Sequence, residues 1–201
     1  MHGSGVAMAR PREFNVDHAL DQALQVFWSK GYEAASMRDL VGAMGISKSS
    51  FYDTFGSKHE LFLSAIDRYN VTVGACGLEA MIQESPSPKL GIENVLQSVI
   101  EAIVQKGEKR GCFLSNCAVE VACHDDDAAQ RVAKGLSNTE ETFYRAVKRG
   151  QKAGEIGTDK EARAIARYLT GTLNGILVMG KANPDRKTLQ DVARVALSVL
   201  D

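Results

Sequence analysis

With 201 residues, 44% hydrophobic and 24% charged, the chain is long enough to bury a substantial core and too apolar to be disordered. Its formal net charge of −1 excludes a general basic field, so any attraction to nucleic acid must come from a few placed cations. Up to residue 60 there are six Lys or Arg against seven Asp or Glu.

The longest uncharged apolar run, residues 168–180, is shorter than the about 20 residues that span a bilayer, and no membrane partner is expected. Met1 to Ala9 lacks a basic segment followed by an apolar one, so no secretory signal is expected. The four cysteines then read as reduced thiols of a cytoplasmic protein.

Strand signals are scarce, and the chain reads as all-α with about nine helices. Arg10-Pro11-Arg12 forms a basic, non-helical arm, either a DNA-contacting arm or a solvated tail. A first helix is expected at about 16–30, capped by Asn15, with Leu20, Leu24 and Phe27 inward and Gly31-Tyr32 closing it. Met37, Leu40, Val41 and Met44 recur at i, i+3, i+4 and i+7, one face of a second helix. Ser36 caps it, and Asp39 gives a shortened capping box.

Gly45 then leaves the helix at positive φ, Ile46 lies under the turn, and Ser47 caps a third helix. Phe51 and Phe55 point inward from that helix, which leaves Lys48, Ser49, Ser50, Tyr52 and Thr54 outside. Two readings fit this stretch: an ordinary αα-hairpin, or a helix-turn-helix whose second helix enters the major groove. Ser57 and Glu60 form a further capping box for a fourth helix carrying Leu61, Phe62, Ala65, Ile66 and Tyr69. That helix is expected to run to about residue 82, with Gly74 and Gly77 weakening it midway as places for a bend or a break.

Pro86 and Pro88 mark a boundary, beyond which helices are expected at about 90–106, 112–123, 128–153, 159–181 and 184–200. Thr158 with Glu161 fits a cap, and Pro184 suits the first position of the last helix.

Over about residues 19–63 the chain resembles the TetR family of bacterial transcriptional repressors. The resemblance rests on Gly31-Tyr32, Ser36, Leu40, Gly45, Ile46, Ser47, Phe51, Tyr52, Phe55, Ser57, Lys58 and Leu61. Ser49 stands where the family often has Gly, and Thr54 where it often has His, departures that bear on the operator sequence. The resemblance implies a non-enzymatic, cofactor-free homodimer that represses transcription from near-palindromic double-stranded DNA. It implies an arm and DNA-binding domain over 1–56, and an effector-binding and dimerisation domain over 57–201.

Carried over, the DNA contacts fall on Ser36, Lys48, Ser49, Tyr52 and Lys58; Ser50, Arg10 and Arg12 are added by position. Tyr52, Ser36 and Lys58 suit phosphate, while Lys48, Ser49 and Ser50 suit base edges. The apolar stripes Ile165, Leu169, Thr172, Leu173, Ile176 and Leu189, Val192, Ala196, Val199 are expected at the dimer interface, with core packing the alternative. An effector pocket between the fourth and eighth helices would draw on Phe62, Ile66, Tyr69, Asn116, Glu120, Phe143 and Tyr144.

Cys112, Cys117, Cys123 and His124 suggest a metal set, but helical spacing separates Cys112 from Cys123 by about 16 Å and Cys117 from His124 by about 10 Å. No metal is expected. Cys112 follows Lys109-Arg110-Gly111 at a helix start, where cations and free N–H groups favour a thiolate; packing is the other reading. The segment KRGCFLSNCAVEV also resembles a TetR subgroup with regulators that respond to electrophiles and oxidants. That likeness implies Cys112 as a sensor and Lys181 as its partner. Cys117 and Cys123 read as packing residues.

Residues 175–181 fit most of a P-loop, but Ala182 replaces the magnesium-binding hydroxyl and the preceding segment reads as helix. Asp125-Asp126-Asp127 reads as a solvated loop at a helix N-terminus. An enzyme lacks a nucleophile paired with a base, and a protein-interaction module leaves the outward Tyr52 and Lys58 without a purpose.

Overall fold

The computed structural model describes residues 14–105, 107 and 109–201. Among them are ten α-helices and no strand: α1 (Val16–Lys30), α2 (Met37–Met44), α3 (Lys48–Phe55), α4 (Lys58–Thr72), α5 (Ala75–Glu84), α6 (Pro88–Gln105), α7 (Phe113–Glu120), α8 (Asp126–Ala153), α9 (Ala162–Ala182) and α10 (Arg186–Leu197). A 3-10 turn, Ser198–Leu200, follows. Arg10 and Arg12 lie outside the described residues. No helix among those described is long and apolar enough to cross a membrane.

Local chemistry sets most boundaries. Asn15, Ser36, Ser47 and Ser57 each accept a backbone N–H from the first turn of α1 to α4. Gly45 adopts φ 66 and ψ 29, the left-handed conformation that turns the chain from α2 into α3. The box at Ser57 is only half made, because its own N–H goes to the Phe55 carbonyl. The long fourth helix is broken into two at Gly74, the first of its two weak points, where Val73 and Gly74 both donate to the Tyr69 carbonyl. Three expectations are displaced. The helix after Cys112 stops at Glu120, Glu161 rather than Thr158 precedes α9, and Asp185 caps α10 through Thr188, leaving Pro184 just outside.

Two apolar cores organise the chain. The first joins α1 to α4 with Phe113, Leu114 and Cys117 of α7 and Ala128 and Val132 of α8. It therefore extends well past residue 56. The second joins α5, α6, α9 and α10 with Phe143, Ala146 and Val147 of α8. Helix α8, about 42 Å long by its 28 residues, is the strut common to both. Ile165, Leu169, Leu173, Ile176, Leu189 and Ala196 are at most 5% exposed within the single chain, and Val192 and Val199 pack against the same core. The stripes expected at a dimer interface are thus largely intrachain core, because periodicity selects a face without saying what covers it.

Candidate DNA interface and effector cavity

Helix α2 is anchored by a compact polar knot. Ser36 donates its N–H and hydroxyl to Asp39 at 3.0 and 2.7 Å, and Asp39 returns its backbone N–H to the Ser36 hydroxyl at 3.1 Å. Lys30 of α1 reaches the other carboxylate oxygen at 2.6 Å. The Lys30 bond, then the Ser36 bonds, hold the Asp39 carboxyl well below the usual range. Arg38, exposed in the first turn of α2, has no ion-pair partner among the described residues. Sequence reading left it out, although the inward phase of Met37 and Leu40 already places it outside.

Helix α3 presents polar groups over a buried Phe51, whose ring meets Tyr52 edge-on at 5.2 Å. Lys48 and Ser49 are exposed, and Tyr52 is 54% exposed. The Ser47 hydroxyl lies 2.9 Å from both the Ser49 and Ser50 hydroxyls, a three-serine cluster at the helix start. Lys58, in the first turn of α4, lies over the Tyr32 ring at 4.5 Å and reaches the Glu33 carbonyl at 3.5 Å. The free N–H groups of these helix starts, with the nearby cations, can receive phosphate.

Between the two cores lies a cavity of about 340 Å³. Trp28 and Tyr69 enter it from α1 and α4, Leu78 and Met81 from α5, Val95 and Val99 from α6, and Leu173 and Leu177 from α9; Cys112 completes the wall. No Lys, Arg, Asp, Glu or His lines it. Its polar side chains are turned to the backbone: Trp28 Nε1 donates to the Gly111 carbonyl at 3.0 Å, Thr139 to the Gly135 carbonyl at 3.3 Å, and Asn174 Nδ2 to the Thr170 carbonyl at 2.8 Å. The Tyr69 hydroxyl donates to Cys112 Sγ at 3.8 Å. Burial pushes the Tyr69 phenol far above its usual pKa, so it stays a donor.

Of the expected pocket residues, Tyr69 lines this cavity and the other six do not. Phe62 and Ile66 are core, with Phe62 edge-on to Phe27 at 5.2 Å. Phe143 is in the second core, and Tyr144 carries the Arg163 guanidinium over its ring at 3.7 Å. Asn116 binds the Arg110 carbonyl at 2.8 Å, and Glu120 accepts the Glu33 N–H at 3.0 Å.

Cys112 occupies the N-cap position of α7. The Lys181 stem passes beside Gly111, but its ammonium donates to Asn116 at 3.2 Å, not to Cys112. Arg110 stacks over Trp28 at 4.3 Å and hydrogen-bonds Gln25. Cys117 is buried, with its thiol pushed up by that burial, whereas Cys123 is exposed and does not pack. Asp125 caps α8 and pairs with His59 at 2.6 Å, so it is structural rather than loose. Among the described residues no three His, Cys, Asp or Glu gather to hold a metal ion.

Comparison with known proteins places this geometry. Residues 19–65 match the model for bacterial regulatory proteins of the tetR family, and residues 89–196 match the tetracyclin repressor-like C-terminal domain. The regulator YezE of Bacillus subtilis is 35% identical over 196 residues, covering 96% of this chain and all of that one. The transcriptional repressor ComR of Escherichia coli is 27% identical, covering 94% and 90%. Among solved structures, a cysteine mutant of the TetR regulator CifR bound to 26-bp operator DNA is 28% identical, covers 96% of this chain and 100% of that one, and superposes with TM-score 0.82. Reduced NemR of E. coli, at 17% identity, 92% and 96% coverage and TM-score 0.82, shares the fold. The chain belongs to the TetR family of bacterial transcriptional regulators.

Proposed function

We propose that the chain is a homodimeric repressor released from a near-palindromic operator when its apolar cavity is filled or its Cys112 is modified. Ser36, Lys48, Ser49, Ser50, Tyr52 and Lys58 contact the DNA, and Arg38 joins them on phosphate. Two recognition helices then lie about 34 Å apart, one turn of duplex. The observation that carries the regulatory part is the cavity itself, because Trp28 of α1 forms part of its wall. A molecule there touches the DNA-binding unit directly. It acts only through different affinities for the bound and released conformers, and a tenfold loss of operator affinity needs about 1.4 kcal/mol of coupling.

The proximity of Cys112 to the cavity supports the second signal. Gel-shift titration against the DNA upstream of the chain's own gene, at fixed salt, tests the reading. Lys48→Ala and Tyr52→Phe should each weaken specific binding; unchanged binding removes α3 as the reader. Release by an oxidant or electrophile should disappear in Cys112→Ser, and its persistence would refute the thiol signal.

A further inference from the structure

The cavity's own chemistry narrows what it can hold. No Lys, Arg, Asp, Glu or His stands in its wall to pair with an ion, and removing an ion from water without a partner is prohibitive. At about 340 Å³ it is at the small end of ligand sites. Among the described residues the only buried unpaired side-chain polar atom is Asn70 Oδ1, which is not part of the lining. A ligand with several polar groups would find few groups free to meet them.

One donor is cheap to redirect. Trp28, Thr139 and Asn174 each give a proton to a carbonyl oxygen at 2.8–3.3 Å, whereas Tyr69 gives its only one to a sulfur at 3.8 Å. Sulfur is a weak acceptor, and an oxygen at about 2.7–2.8 Å is the better partner for a hydroxyl. From this we infer that the cavity binds a neutral, mainly apolar molecule bearing one hydrogen-bond acceptor, which takes the Tyr69 hydroxyl away from Cys112. The inference rests on reading the cavity as the effector site. It also joins the two signals, since a bound molecule frees the thiol of its hydrogen bond while shielding it.

Three probes of nearly one shape test this: cumene without an acceptor, acetophenone with one, and benzoate with a charge. Binding is followed at the Met81 methyl resonance, which reports on the cavity wall. Acetophenone should bind about fivefold more tightly than cumene, the gain of one net hydrogen bond. Benzoate should give no saturable shift. In Tyr69→Phe the acetophenone advantage should vanish while cumene binding stays. In Cys112→Ala, where the hydroxyl has lost its partner, the advantage should widen.

Benzoate binding as tightly as acetophenone, an advantage that survives Tyr69→Phe, or no shift at Met81 with any probe overturns the inference. A gel shift at saturating acetophenone separates the two readings. The expected affinity pattern with the operator still held leaves the ligand chemistry standing and removes the cavity's effector role.

Discussion

The indole N–H of Trp28 donates to the carbonyl of Gly111 at 3.0 Å, across 83 residues of sequence. It ties α1, which packs against α2, to the residue just before Cys112. The same indole meets Tyr69 edge-on at 5.2 Å, so a single side chain touches the DNA-binding unit, the cavity and the thiol segment. A molecule that moves Gly111 must move Trp28 or break this bond, and one that moves Tyr69 alters the ring contact with the same indole.

Trp28→Phe keeps a ring but leaves the Gly111 carbonyl without its partner. Stability should fall by about 1–3 kcal/mol, the cost of an unmet buried acceptor. The more specific expectation is that operator release by a cavity ligand weakens. Thermal unfolding and gel shifts with and without ligand check both. Full ligand response in the variant would show that coupling bypasses this bond.

A second strut runs from the other end of α7. Glu120 accepts the Glu33 N–H, and its carboxylate fills the space beside Gly31, where an added Cβ would come within 2.7 Å of it. Glu120→Ala should cost about 1 kcal/mol, lower Tm by about 2–4 °C, and weaken operator binding because the α1–α2 turn precedes Ser36. Circular-dichroism melting beside a gel shift measures the two effects. Operator affinity that does not change would make Glu120 a purely structural prop.

How much of this was legible in the chain follows from the range of each interaction. Caps act over three residues, so Ser36, Asp39 and Ser47 could be placed without a fold. The inward faces of α1 to α4 were legible for the same reason, since 3.6-residue periodicity is local. Trp28 in the cavity was not, because its partners Gly111 and Cys112 arrive from a helix far along the chain. Leu169, Leu173 and Ile176 show a further limit: the stripe was visible, but its cover is this chain's own α6, α8 and α10. The aromatic residues Phe62 and Phe143 were attractive pocket candidates by type, yet close packing spends them on the cores.

Acid should unfold the protein through carboxylates held low in the folded state. Asp21 is lowered first by the Arg68 hydrogen bonds, and Asp125 first by the Ala128 N–H and then by His59. A carboxyl whose folded pKa is depressed contributes stability that is complete above its unfolded value, about 3.9, and lost as pH falls through the folded one. Tm should therefore decline below about pH 4 from this source. Asp125→Asn keeps a competent cap but removes the titrating group, so its acid decline should be shallower. An acid limb with the same slope would assign the effect to the other carboxylates.

At Gly135, α8 packs close against α4 and α7. A Cβ built there would come within 2.1 Å of Asn70 Oδ1 and 2.6 Å of Leu114 Cδ1. Asn70 Nδ2 donates to the Arg131 carbonyl of α8 at 3.4 Å, while Asn70 Oδ1, which faces Gly135, is the one buried side-chain polar atom without a partner among the described residues, so this spot is held by fit. Gly135→Ala should destabilise by about 1–3 kcal/mol, despite the better helix propensity of alanine. Denaturant unfolding measures it; a stabilised variant would mean that the helices separate freely.

The face of α9 opposite its core stripe is where a second copy should dock. Tyr168, Gly171, Gly175, Val178 and Met179 fall within about one-third of a turn of helix, and Val195 of α10 is 61% exposed. Val178 is 59% exposed, and a Cβ added at Gly171 or Gly175 would meet nothing within 4 Å in the subunit. Small residues beside an apolar pair allow two helices to approach closely. Because a two-fold interface repeats every substitution, Val178→Glu would place two carboxylates near the axis, each removed from water without a partner. The variant should keep its helical content by circular dichroism and sediment as a monomer. It should also bind the operator more weakly, since two half-sites would no longer be gripped by one linked pair. A variant that remains dimeric at the concentration used for the parent protein would move the interface elsewhere on the surface.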